Sequence, residues 1–372
     1  MIKIKIVILL IVGLGFGWTE IGILPREVNN QDPTLNKKPD YFAMEWEEGT
    51  LLTKKQTPFF IEVETMGNQS ISLLMDENNR PRLYTSNITT PVCADGECRL
   101  MYLTLYWNLL GGYVGFDKVE GQALTKHDHE EFTDLDYAKL HQLLLDDNSI
   151  LKRKKIDELV EKPATSETDS ADATSGATIA EVKESVVYGA LYSCFVAWNI
   201  AHGEIKRQLL DNTAGLFNLE MKHYMLHSND VDYQMYALKS FEEGDFIAFK
   251  ERIVEMFRES IPLIRTYIVQ NLPEQFWRSD SLQIPFWESF DAIDINNRSL
   301  LLNHLETAPK EVLLSLSVNM GLMTKNQLKT YLMGVEDLVQ YNSLLAKELD
   351  SFAHSKSNTY GYIVEEFLED LE

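Results

Sequence analysis

The stretch Leu100-Met101-Tyr102-Leu103-Thr104-Leu105-Tyr106-Trp107-Asn108-Leu109-Leu110-Gly111-Gly112-Tyr113-Val114-Gly115-Phe116-Asp117-Lys118-Val119 decides how the first half of the chain folds. Leu100 to Trp107 is dense in bulky and aromatic side chains, which suit a pleated surface. Gly111-Gly112 breaks the run, and Tyr113 to Val119 resumes it. Two such runs about a glycine break read as antiparallel strands. Upstream, Phe59-Phe60-Ile61-Glu62-Val63 and Ile71-Ser72-Leu73-Leu74-Met75 read as shorter strands. Asn78-Asn79-Arg80-Pro81, between Met75 and Leu83, carries turn chemistry. The β pattern therefore extends from Thr57 to about Val119, behind a polar lead-in at about 25–42. Trp107, Tyr113 and Phe116 are expected in the sheet core, although aromatic rings beside Gly111-Gly112 could also stack on a flat ligand.

Downstream the period changes to helical. Asp134 to Leu145 is expected to be a helix with Leu135, Ala138, Leu140 and Leu144 near one apolar face and Thr133 as its N-cap. A basic-then-acidic stretch follows from Lys152 to Glu161. Pro163 to Ser175 is Ala, Thr, Ser, Asp and Glu with almost nothing to bury, which reads as a solvated segment. A strong helix is then expected, with Ile179, Val182, Val186, Ala190, Cys194 and Trp198 at helical spacing and Cys194 a buried free thiol. From about Gly203 the chain reads as helices joined by short polar turns. They include Val231–Phe241, Phe246–Arg258, Pro262–Asn271, Ser299–Leu305, Pro309–Asn319 and Asn326–Val339. Pro309 suits a first helical position, and Thr324 with Gln327 spells a capping box. The expected architecture is an α+β N-terminal domain (antiparallel sheet plus helices) followed by an all-α, HEAT-like or irregularly bundled, C-terminal domain. The expected boundaries are 1–19 for a targeting segment, 40–203 for the α+β domain and 204–372 for the helical domain.

Composition narrows the function classes. The chain has 34 Lys plus Arg against 57 Asp plus Glu, a formal charge of −23. A surface that acidic repels nucleic acid and anionic lipid and favours a basic partner patch. At the N-terminus Lys3 and Lys5 precede an uncharged, mostly apolar run from Ile6 to Thr19, ended by Glu20. That suits a signal-peptide core better than a full span of ~20 residues. Gly13 with Gly15, or Gly15 with Gly17, offers small residues for cleavage; an uncleaved N-terminal anchor is the alternative. Either reading places the remainder outside the cytoplasm, in the periplasm or at the outer face of the inner membrane. Cys93 and Cys98 bracket Ala94-Asp95-Gly96-Glu97, and Asp-Gly is a hairpin signal. They read as a structural disulfide, with a redox-active thiol pair as the sharper alternative.

One motif carries chemistry. Asp172-Ala173-Thr174-Ser175-Gly176-Ala177-Thr178 resembles the flavinylation motif of the FMN-binding-domain family. That family includes flavin-bearing subunits of the sodium-pumping NADH:quinone oxidoreductase and of related membrane electron-transfer complexes. The resemblance is local, around residues 100–203. It implies that a flavin transferase esterifies FMN phosphate onto Thr178, with Asp172, Ser175, Gly176 and Ala177 as the recognition frame. It also implies a redox partner protein or membrane complex, and an electron carrier rather than a stand-alone catalyst. The residue types suit that chemistry. Gly176 and Ala177 leave room for close backbone approach, and a hydroxyl at a helix start meets free N–H groups. His127-Asp128-His129-Glu130-Glu131-Phe132-Thr133 stands roughly where family members often have a Glu-Thr-Pro-Gly type segment.

Other readings stand beside it. Thr178 and Glu181 also spell a Thr-x-x-Glu capping box. The alternative is therefore an exported helical-repeat scaffold or binding protein without cofactor. His127 and His129 could ligate a metal, but a polar loop before a helix explains them equally. His223 and His227 share a helix face without the intervening Glu of a zinc-protease motif. No Walker loop, dinucleotide fingerprint or nucleophile elbow is present.

Overall fold

The computed structural model describes residues 34–63, 66–92, 99–126, 129–153, 155 and 180–371. The chain divides into two compact units, the first ending at Asp211 and the second beginning at Asn212. The first holds an antiparallel, curled seven-stranded sheet in the order β1-β3-β4-β5-β6-β7-β2. Its strands are β1 (Thr34–Leu35), β2 (Tyr41–Phe42), β3 (Leu52–Val63), β4 (Gly67–Met75), β5 (Pro81–Thr90), β6 (Met101–Trp107) and β7 (Tyr113–Lys118). The decisive stretch forms β6 and β7, paired Leu105 to Phe116 and Tyr106 to Gly115. The expected turn is also present. Asn79 has a positive φ of 57°, and the Asp76 carboxylate accepts the Asn78 and Arg80 N–H groups at 2.9 Å each. Pro81 opens β5 at the first strand position, where a missing N–H is tolerated.

One correction concerns the lead-in. It is not merely polar: Thr34–Leu35 pairs with β3 and Tyr41–Phe42 pairs with β7, so it supplies both edges of the sheet. Two-residue pairings are too short to show alternation, and only the docked sheet reveals them. Burial separates the two faces. Ile71, Tyr84, Ile88, Leu103, Leu105, Trp107 and Phe116 are buried on the face that helices cover. Trp107 Nε1 donates to the Ala201 carbonyl at 2.9 Å, and Tyr84 Oη donates to the Leu209 carbonyl at 3.4 Å. Those acceptors lie on α3 (Leu191–His202) and α4 (Ile205–Leu216).

Between sheet and α3 come α1 (Asp134–Leu145), a 3-10 turn (Ile150–Arg153) and α2 (Ala180–Ser185). Thr133 caps α1 as expected, in a reciprocal box with Asp136. The buried stripe differs from the expected one. Leu135 is 83% exposed, whereas Tyr137, Leu140, His141 and Leu144 are buried. These follow the i, i+3, i+4, i+7 pattern of a core-facing helix. The expected face left out Tyr137 and His141, which the structure buries. The helix expected from Ile179 through Trp198 is also two elements. Gly189 adopts φ +72°, a conformation costly for residues with a Cβ, and α2 ends before it while α3 starts after it.

The second unit is helical. Its helices are α5 (Leu219–Leu226), α6 (Val231–Lys239), α7 (Glu243–Ala248), α8 (Lys250–Glu259), α9 (Pro262–Asn271), α10 (Glu274–Arg278), α11 (Asp280–Trp287), α12 (Ile295–Leu302), α13 (Lys310–Ser315), α14 (Lys325–Val339), α15 (Ser343–His354) and α16 (Gly361–Asp370). The expected helix at 262–271 is found as read, with Pro262 in its first turn, and Thr324 caps α14 in the expected box with Gln327. Elsewhere pattern reading ran elements together. Phe246–Arg258 is split at Phe249 into α7 and α8. Pro309 is an N-cap rather than a first helical residue, and α13 passes into a 3-10 stretch at Leu316–Leu322. Neighbours in sequence pack on each other, and α9 packs on α12 and α12 on α14, an arrangement compatible with helical repeats. Phe257, Phe276, Phe286 and Phe290 are fully buried in this core. Each contributes about 1.5–3 kcal/mol of apolar burial.

Candidate functional site

The flavinylation candidates Asp172, Ser175, Gly176, Ala177 and Thr178 lie outside the described residues, as do Cys93, Cys98, His127 and the N-terminal segment. The described chain resumes at α2. At six described residues, α2 ends well short of the long helix expected to run from Ile179 through Trp198. Ring chemistry is nearby in sequence instead. Tyr188 is 84% exposed and Tyr192 is exposed at the start of α3. Both rings stand open to solvent in the residues that follow the motif.

The remaining sequence candidates find structural places. His129 is exposed with φ +65° in a tight loop, where the Lys126 N–H donates to the Glu130 carbonyl at 2.8 Å. This is the polar loop before the Thr133 cap. Among the described residues no group of three or more His, Cys, Asp and Glu side chains is placed to hold a metal ion. His223 and His227 do share a face: their rings stack at 4.0 Å, and His227 Nδ1 donates to the His223 carbonyl. Burial, His227 and Arg252 together lower the His223 pKa. Cys194 is a buried free thiol, as expected. Burial pushes its pKa up to about 12, which removes it from thiolate chemistry. Among the described residues no helix is long and apolar enough to cross a membrane.

Trp107, Phe116 and Tyr113 are core residues, but they belong to a larger cluster that sequence reading did not assemble. Tyr113 Oη and His141 Nδ1 share a hydrogen bond of 2.9 Å. Tyr113 also lies against His202, whose ring packs tilted against Trp198 at 4.7 Å and donates from Nε2 to the Leu144 carbonyl. Tyr41, Phe116 and Tyr137 complete the cluster around His141. Burial lowers the pKa of both imidazoles and raises that of Tyr113. All three groups are therefore neutral at pH 7, and the cluster ties α1 and α3 to β7 without burying a charge. The only advance signal was the histidine in each helical stripe.

A cleft of about 420 Å³ in the second unit is lined by Val269, Leu272, Glu274, Trp277, Arg278 and His304, among others. Trp277 and His304 stack within it at 3.8 Å, nearly parallel. Buried Gln283 holds its floor by donating to the carbonyls of Trp277 and Thr307. Compared with protein-family models, curated proteins and solved structures, the chain matches none.

Proposed function

We propose that the chain is an exported electron-transfer flavoprotein that carries FMN through a phosphoester on Thr178. The observation that carries this reading is the segment Asp172 to Thr178 itself: acid, small-residue frame and terminal hydroxyl in one register, behind a solvated run. When bound, the flavin supplies the redox chemistry. Thr178 fixes it, Gly176 and Ala177 give the transferase access to the backbone, and Tyr188 and Tyr192 offer rings to cover it. Tethering keeps the local flavin concentration high where free flavin would diffuse away. A chain carrying −23 meets a basic redox partner in a salt-sensitive encounter.

The test is in-gel fluorescence of the denatured chain after co-expression with a flavin transferase, beside Thr178→Ala. A fluorescent wild-type band and a dark variant are expected. A dark wild-type band beside a glowing flavinylated control would reject the assignment and leave Thr178 as a helix cap. A second reading, an exported helical scaffold without cofactor, is favoured by apolar side chains standing in solvent on the helical unit. Val318 is 77% exposed, Met333 75% and Tyr341 88%. That reading expects partner capture to be unchanged in Thr178→Ala.

A further inference from the structure

The helical unit repeats. Val231, Pro262, Ile295, Lys325 and Gly361 open α6, α9, α12, α14 and α16, so a helix of this series begins every 30–36 residues. The five stack in chain order: α6 packs on α9, α9 on α12, α12 on α14 and α14 on α16. Side chains tie neighbouring first turns together. Arg265 pairs with Asp294 at 3.3 Å, Asn297 Nδ2 donates to the Pro262 carbonyl at 3.4 Å, and Gln327 Nε2 donates to the Ile295 carbonyl at 2.7 Å. Near-constant spacing with nearest-neighbour packing is the geometry of a helical solenoid.

The stack carries the same cleft twice. One repeat before the cleft of about 420 Å³ there is another of about 230 Å³. Leu238, Phe241, Glu243 and Phe246 line the smaller one. Their counterparts 31 residues on, the step that separates Val231 from Pro262, are Val269, Leu272, Glu274 and Trp277, and these line the larger. Each cleft thus lies at the C-terminal ends of two stacked helices, α6 and α9 for the smaller, α9 and α12 for the larger. Packed helices lie about 8–10 Å apart, so the two clefts are separated by about that distance.

The chemistry repeats with the geometry. Each cleft has an aromatic wall: Phe241 meets Phe246 edge-on at 5.0 Å in the smaller, and Trp277 stacks on His304 in the larger. Each also has an exposed carboxylate, Glu243 and Glu274, the first residues of α7 and α10. The protein's own cations already use these features. Lys222, which Asp245 neutralises, lies over the Phe241 ring at 5.5 Å. Arg278 sets its guanidinium on Glu274 one turn away, in a pair exposed on both sides. An exposed pair of this kind contributes little to stability and yields to a competing cation. Glu243 makes no ion pair among the described residues. Residues 212–372 carry 25 Asp and Glu against 13 Lys and Arg, so the field around both clefts draws cations.

We propose that the two clefts bind a basic, proline-rich peptide, one arginine to each, with the guanidinium groups on Glu243 and Glu274 and their stems against the aromatic walls. A polyproline II strand turns once every three residues and advances about 9 Å as it does so. That matches the helix spacing, so arginines three residues apart reach both clefts from one face of the peptide. Arginine suits the site because its planar head stacks on rings and pairs with a carboxylate. The stiff polyproline backbone loses little freedom on binding. The proposal is independent of flavin attachment, because both clefts lie within the helical unit.

The test is fluorescence anisotropy of a labelled peptide of four Pro-Pro-Arg units titrated with the full chain. Saturable binding is expected, at least tenfold tighter than to four Pro-Pro-Glu units. It should also be at least threefold tighter than to four Gly-Ser-Arg units, which carry the same charge on a flexible backbone. Glu243→Gln and Glu274→Gln should each weaken binding at least threefold, and the two together at least tenfold. Glu311→Gln, exposed on α13 and lining neither cleft, should leave it unchanged. All three side chains stand in solvent, so the variants keep their fold, which far-UV circular dichroism checks. No saturable binding, equal affinity for the Gly-Ser-Arg peptide, unchanged affinity in the folded double variant, or an equal loss in Glu311→Gln would each overturn the proposal.

Discussion

Replacing Gln283 by Leu should damage the helical unit more than its conservative shape suggests. Gln283 is 1% exposed, and its amide makes three hydrogen bonds. Nε2 donates to the Trp277 carbonyl and to the Thr307 carbonyl, each at 2.9 Å, and Oε1 accepts Trp287 Nε1 at 3.1 Å. The residue thus joins α10, α11 and the 3-10 turn Leu305–Thr307. Leucine fills most of the volume but orphans the Trp277 carbonyl and the Trp287 indole N–H in the core, while the carbonyl of exposed Thr307 is left to solvent. Each orphaned buried group costs about 1–3 kcal/mol, and the added apolar burial returns about 1–2 kcal/mol. The expected net loss is about 2–3 kcal/mol. Urea unfolding followed at 222 nm measures it, because the helical unit dominates that signal. Adding Trp287→Phe supplies an internal control. With its acceptor already gone, the indole N–H is a liability, so the second substitution should cost less in Gln283→Leu than in wild type. A loss below about 1 kcal/mol, or strict additivity of the pair, would refute the claim that this amide is the joint.

Two further outcomes follow from groups with displaced titration. Burial would raise the Asp76 pKa, but the Arg80 N–H, the Arg82 guanidinium and the Asn78 N–H outweigh it and hold the carboxylate below its usual range. A depressed carboxyl stabilises the fold above its unfolded pKa of ~3.9 and loses that contribution as pH falls through the lower folded value. Asp76→Asn should therefore cost about 2 kcal/mol at pH 7, and the gap to wild type should close below about pH 4 in pH-dependent urea titrations; a pH-independent gap would count against it. Cys194, fully buried with its thiol pushed up to about 12, should resist iodoacetamide at pH 8 and react once the chain is unfolded. Peptide mapping by mass spectrometry checks this, and equal labelling in both states would contradict the burial.

Some of this protein is written locally. The strands at Phe59–Val63, Ile71–Met75 and Leu100–Val119, the Asn78-Asn79 turn, the Thr133 cap and the Thr324–Gln327 box all rest on side chains within a few positions of each other. Short-range sterics and capping hydrogen bonds decide such features, so they are legible in sequence. The acidic charge and the Asp172–Thr178 motif are legible for the same reason.

The tertiary structure decided the rest. Thr34–Leu35 and Tyr41–Phe42 are strands only because sheet edges offer them unpaired N–H and C=O groups. The α1 stripe turned toward Tyr137 and His141 because Tyr113 meets His141 across the sheet face. Gly189 broke a helix whose apolar spacing ran straight through it, because a positive φ is set by the backbone path and not by hydrophobic period. Lys54 and Asp117 are far apart in sequence and four strands apart in the sheet. Their charges couple through curvature, which is a property of the whole sheet and of no single strand.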